Sequence, residues 1–185
     1  MSKKKTNTPD LTEAFGEKVQ RIAKLRGLSE GSADYMVRLL VQKTRVEPIP
    51  DTLFELYRDA LEADKSVAAV RYKRLGDQAL FVLGVFPESL DRRGVSKRYY
   101  ADMGSSAYDR VSAYRPDSGI IYQELSDRFD SAAWTVRDVF EEFRLESAEQ
   151  DVLALYEEWI RTGSLRVLRR LQELGFNVSP TGGLK

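Results

Sequence analysis

The sequence predicts an all-α fold, a single-domain irregular bundle of seven or eight helices around a central apolar helix. Three observations predict it. Apolar residues recur at steps of three and four through every long segment, the segments are punctuated by hydroxyl caps, glycines and prolines, and no stretch alternates with period two over strand length. The run from Ala79 to Phe86 has no polar side chain, so it has no face to show to water and belongs where other helices cover it.

The elements follow in order. Residues 1–7 read as a polar, disordered tail, 8–176 as the helical domain and 177–185 as a loose C-terminal tail. Thr8 offers a cap with Pro9 behind it, and Leu11, Phe15, Val19, Ile22 and Leu25 form an apolar row that Gly27 ends. Ser29 or Ser32 caps a second helix with Ala33, Met36, Val37, Leu40 and Val41 inward. Pro48 and Pro50 make an extended connector.

Thr52 and Glu55 have the spacing of a capping box, opening a short helix with Leu53, Leu56, Tyr57, Ala60 and Leu61. The central helix begins near Asp64 or Ser66 and runs to Phe86, with Ala68, Tyr72, Leu75, Ala79, Val82 and Phe86 on its core side. Lys73 and Asp77 are placed to pair at i,i+4. Pro87 to Gly94 reads as a turn with at most one helical turn in it. Ser96 caps the next helix, whose core row is Tyr100, Met103, Ala107, Val111 and Tyr114; its small residues Ala101, Gly104 and Ser105 are expected against Gly76 or Gly84, because small residues let helix axes approach.

Residues 118–143 are expected to form the longest helix, with Ile121, Leu125, Phe129, Ala132, Val136, Phe140 and Phe143 inward. Ser147 and Gln150 suggest a second capping box before Val152, Leu155, Tyr156, Trp159 and Ile160. Ser164 caps a last helix with Leu165, Leu168, Leu171 and Leu174 inward, stopped by Gly175.

Composition narrows the function. The 185 residues contain no cysteine and no histidine, which removes thiolate and imidazole metal sites, disulfides, cysteine nucleophiles and the Ser-His-Asp triad. Lys+Arg and Asp+Glu are 29 each, so no global field draws the chain to nucleic acid or an anionic membrane. Glycine-rich phosphate loops and calcium loops are absent, and no cofactor or metal is expected. With no apolar segment behind the lysine-bearing N-terminus and no run of membrane-spanning length, a cytoplasmic protein is expected.

Leu75-Gly76-Asp77-Gln78-Ala79-Leu80-Phe81, Pro87-Glu88-Ser89-Leu90, Tyr99-Tyr100 through Gly104 to Tyr108, and Leu155-Tyr156 through Trp159 to Ser164 together resemble an uncharacterised bacterial family of soluble helical proteins of unknown function. The resemblance covers most of the chain after about residue 30 and implies a soluble bacterial protein. It implies no activity and no catalytic residue.

Two sets of residues are candidate sites. Arg71, Arg74 and Asp77 with Tyr99, Tyr100, Asp102 and Tyr108 would converge if the two helices that carry them pack side by side, giving either an internal ion-pair network or a pocket for a polar or anionic ligand. Arg92, Arg93, Lys97 and Arg98 surround a turn and a helix start where an anion could sit. Arg161, Arg166, Arg169 and Arg170 form a third basic group, blunted by nearby glutamates. Asp127, Asp130, Glu141 and Glu142 read as solvated carboxylates. The favoured reading is a non-enzymatic interaction module, regulatory or scaffolding, that binds a protein partner or itself. Small-ligand binding near the central helix stands second, and nucleic-acid binding through a local basic patch third.

Overall fold

A computed structural model describes residues 11–45, 52–115, 117, 119–146 and 152–173. These residues form ten helices and no strand: α1 (Leu11–Leu25), α2 (Glu30–Arg45), α3 (Leu53–Leu61), α4 (Lys65–Val85), α5 (Pro87–Arg92), α6 (Lys97–Tyr114), α7 (Gly119–Asp127), α8 (Phe129–Glu146), α9 (Val152–Thr162) and α10 (Leu165–Glu173). The all-α class is as predicted. The count exceeds the predicted seven or eight at two places. Pro87, suited by its fixed φ to a first helical turn, opens the six-residue helix α5 where at most one helical turn was expected. Segment 118–143 is two helices that part at Arg128, although the Arg128 N–H still donates to Glu124 O at 2.9 Å and the Ala132 N–H to Arg128 O at 3.0 Å.

Two predicted caps are made in full, while Ser96 stands at the N-cap of α6 without a side-chain cap hydrogen bond. Thr52 and Glu55 close their capping box in both directions. Ser29 is the cap of α2, its Oγ accepting the Ser32 N–H at 3.2 Å. The predicted caps at Thr8 and Ser147–Gln150, the connector at Pro48 and Pro50, Leu174, Gly175 and both tails lie outside the described residues.

The main core gathers Phe15, Val19 and Ile22 of α1, Met36 and Leu40 of α2, Leu75, Leu80 and Phe81 of α4, Val111 of α6 and Val136 of α8. Helix α4 packs against α3, α5, α6 and α8, and buries Ala68, Tyr72, Leu75, Ala79 and Val82 as the period predicted. Trp159, Val167, Leu168 and Leu171 form a smaller second cluster between α9 and α10.

Four residues expected inward face solvent: Leu25 (78% exposed), Leu61, Tyr114 and Leu165. At Leu25 the cause is the helix end. Gly27 turns left-handed (φ 72°), the Gly27 N–H donates to Lys24 O, and the Leu28 N–H donates to Ala23 O at 2.9 Å; this Schellman closure carries Leu28 into the core in place of Leu25.

Close approach of α4 and α6 depends on glycine. A Cβ on Gly76 would lie 2.7 Å from Tyr108 Cε1, and one on Gly104 would lie 2.9 Å from Ala79 Cβ and overlap the Phe129 ring. Gly104 therefore meets α4 at Ala79, one turn from the expected Gly76. Gly84 turns to α8 instead, where its Cβ would meet Val136.

Candidate functional site

The seven residues expected to converge fall into separate places. Asp77 and Tyr108 do meet, in a buried network. Tyr108 Oη donates to Asp77 Oδ1 at 2.9 Å, the Tyr35 hydroxyl donates to the same oxygen, and Lys73 Nζ donates to Oδ2 at 2.6 Å. A carboxylate that is 6% exposed keeps its charge only with donors of this kind around it. Burial raises the Tyr35 and Tyr108 phenols far above their ordinary range, with the Asp77 charge adding to it. The rings of Tyr35, Tyr108 and Tyr122 pack on one another, Tyr35 edge-on to both others. Both hydroxyls are spent on Asp77, so this is an internal clamp of α2, α4 and α6.

Arg71 and Arg74 are exposed on another flank of α4. Arg71 Nη1 donates to Asp59 O of α3 at 2.6 Å, and Arg74 lies near Lys43. Asp102 is a surface residue whose carboxylate accepts from Arg98 Nε at 2.9 Å, one helical turn away. Tyr99 stands in solvent, edge-on to the half-buried Tyr100. The tetrad Arg92, Arg93, Lys97 and Arg98 also divides: Lys97 pairs with Asp91 at 2.8 Å and Arg98 with Asp102, while Arg92 and Arg93 line a cleft with Tyr100.

No protein-family model, curated protein or solved structure matches the chain.

Two concavities are lined in part by α6. The first, about 390 Å³, is lined by Leu83 and Pro87, by Lys97, Arg98 and Ala101 of α6, and by Asp130, Ala133, Trp134 and Arg137 of α8. Trp134 is 50% exposed, with the Arg26 guanidinium 5.9 Å and that of Arg137 5.3 Å from its ring. Arg26 is tied to Asp138, and Arg137 to Glu88 at 3.1 Å and Glu141 at 2.9 Å, so both cations are anchored beside the indole. The second, about 610 Å³, lies between α9 and the α4–α6 segment, with Val82, Phe86 and Ile160 as apolar wall and Arg92, Arg93 and Arg161 around it.

Arg166, Arg169 and Arg170 are exposed along α10 beside Glu158, as expected of a solvated face. Among the described residues no group of three or more acidic, histidine or cysteine side chains could hold a metal, and no helix is long and apolar enough to cross a membrane. Trp134 and Tyr35 escaped the sequence reading. Trp134 follows Ala132 and Ala133, the first of them in the apolar row, and looks like part of it. Tyr35 precedes Met36 beside the apolar row of α2, and only the partner across the core shows why its hydroxyl is there.

Proposed function

We propose that the protein is a non-enzymatic interaction module that docks a protein partner, or a second copy of itself, over Trp134. The observation that carries this reading is a half-exposed indole on a helix whose other face is core, held between two anchored guanidiniums at the lip of an apolar groove. Tryptophan and arginine are the residue types that dominate interface energetics, and a rigid aromatic anchor loses little conformational freedom on binding. The neighbouring wall of Leu83, Pro87, Ala101 and Ala133 supplies apolar contact, and Lys97, Arg98 and Arg137 rim it with charge. Lack of histidine and cysteine in the sequence supports the non-enzymatic part. A bacterial, cytoplasmic setting belongs to the same proposal.

A photo-crosslinking amino acid introduced at position 134 in the source cell tests the reading, alongside sedimentation of the pure protein over a wide concentration range. A discrete crosslinked protein or self-adduct, lost with crosslinker moved to an exposed site such as Ile120, is expected. Absence of any discrete adduct, together with a monomer whose behaviour Trp134→Ala does not change, overturns it.

A further inference from the structure

We propose that the cleft between α9 and the α4–α6 segment binds a phosphomonoester that carries an apolar group. The cleft joins two kinds of surface that such a ligand needs. Val82, Phe86 and Ile160 give it an apolar wall, and Arg92 and Arg93 from the end of α5, Arg161 of α9 and Tyr100 of α6 line the same cleft. Its volume of about 610 Å³ is that of a small-molecule site.

Arg93 and Arg161 differ from their neighbours in how they are used. Lys97 and Arg98, a few residues on, are each paired with an aspartate, and Arg137 with two glutamates. Arg93 and Arg161 have no carboxylate partner among the described residues. Guanidiniums hold their charge at any physiological pH and present paired N–H donors that match phosphate oxygens, so three around one cleft favour a dianion over a single carboxylate. One carboxylate, Glu158, faces the same space; it lowers the local positive potential and disfavours a bare inorganic anion, while offering an acceptor to a hydroxyl on the ligand.

The position of the cleft adds a consequence. Helices α9 and α10 hold a cluster of their own, Trp159, Val167, Leu168 and Leu171, and meet the main core where Tyr156 stacks on Phe86 at 5.5 Å and 16°. A phosphate gripped by Arg93 on one side and Arg161 on the other ties this hairpin to the body. Binding should therefore slow amide exchange in residues 152–173.

Calorimetric titration with phenyl phosphate, inorganic phosphate and benzyl alcohol tests the site. Phenyl phosphate is expected to bind, inorganic phosphate more weakly, and benzyl alcohol not at all. Arg93→Gln and Arg161→Gln, both solvent-facing changes whose fold circular dichroism checks, should each weaken phenyl phosphate roughly tenfold, the loss of one charge-assisted contact. Glu158→Gln should tighten it, and Trp134→Ala should leave it unchanged. No heat at millimolar phenyl phosphate overturns the proposal, as does binding that neither arginine change weakens, or inorganic phosphate binding as tightly as the ester.

Discussion

Glu124 and Arg128, one helical turn apart, grip the two helix ends that meet at Gly27. The Glu124 carboxylate accepts the Ser29 N–H at 3.0 Å and the Ser29 and Ser32 hydroxyls at the start of α2; the Arg128 guanidinium donates to the carbonyls of Gly27 and, at 3.1 Å, Arg26 at the end of α1. Each charge sits at the helix pole of opposite sign, where orphan N–H or C=O groups need partners. Glu124→Ala should cost roughly 2 kcal/mol, since it removes a cap and strands the buried Ser32 hydroxyl, and Arg128→Ala about 1 kcal/mol. Burial raises the Glu124 carboxyl, but the three serine hydrogen bonds outweigh it and carry the pKa below its ordinary value. The folded form then holds the proton less tightly than the unfolded one. The stabilisation is complete above an unfolded pKa of about 4.3 and is lost as pH falls through the folded value. Urea unfolding from pH 6 to pH 3 should show a steeper acid loss in the wild type than in Glu124→Gln; parallel curves would remove the clamp.

A second prediction separates Asp77 from the arginines once grouped with it. Asp77→Ala strands two buried hydroxyls and breaks a half-buried ion pair, and should cost roughly 3–5 kcal/mol, most of it from the stranded hydroxyls. Tyr108→Phe should cost about 1.5–3 kcal/mol, the value of a hydrogen bond to a charged acceptor. Arg71→Ala, on the surface, should cost about 1 kcal/mol or less. Because Tyr35 and Tyr108 have raised phenol pKa values, the unfolded chain loses these protons first. Their contribution is complete below about pH 10 and declines above it as the unfolded phenols ionise. Absorbance titration should show these two rings ionising only with unfolding. Ionisation near pH 10 in the folded protein would dissolve the network.

What the sequence made legible was whatever the chain decides locally. The box at Thr52 and Glu55, the stop at Gly27, the Lys73–Asp77 pair and the inward row of α4 all depend on residues within a turn or two of each other. Gathering Arg71, Arg74, Asp77, Tyr99, Tyr100, Asp102 and Tyr108 required the relative rotation of two helices, which periodicity fixes only to within a face. Asp77 and Tyr108 lie toward each other, Arg71 turns to α3, and Asp102 turns to Arg98. Glu124 and Arg128 were illegible for a further reason. Their partners lie about a hundred positions away, at a turn whose own signals were already complete.

Gly104 offers a third test. Helix propensity alone predicts that Gly104→Ala gains about 1 kcal/mol. Packing predicts the reverse, because the new methyl overlaps the Phe129 ring and lies 2.9 Å from Ala79 Cβ, and overpacking a close-packed core costs roughly 1–3 kcal/mol. Phe129 is 4% exposed, and the methyl meets its ring and a helix Cβ rather than the end of a flexible side chain, so packing wins and the variant should melt lower. Gly104→Ala with Phe129→Leu should recover part of the loss relative to the sum of the single changes. A stabilised Gly104→Ala protein would mean that α4 and α6 do not approach this closely.

The last prediction concerns Lys43 and Gln78, where the core carries a polar pair at a cost. Lys43 Nζ donates to Gln78 Oε1 at 2.7 Å, and Gln78 Nε2 is buried without an acceptor. Burial lowers the Lys43 pKa, with Arg74 and Lys73 acting in the same direction and Asp77 against them. Replacing one member strands the other, so Lys43→Met and Gln78→Leu should each destabilise by about 1–3 kcal/mol. Replacing both removes the half-buried ammonium, its acceptor and the orphan amide together, and apolar substitutes of similar volume are neutral or stabilising at such sites. The double variant should therefore be at least as stable as the wild type at pH 7. Its advantage should also depend on pH in a definite sense. A lysine whose folded pKa lies below the unfolded value of about 10.4 binds its proton less tightly in the fold, so its penalty shrinks as pH rises toward that value. The tyrosines lose stability in the same alkaline range, but they do so in both proteins and cancel in the comparison. The gap between double variant and wild type should narrow from pH 7 to pH 10; a double variant less stable than either single change would show that the pair stabilises the core it occupies.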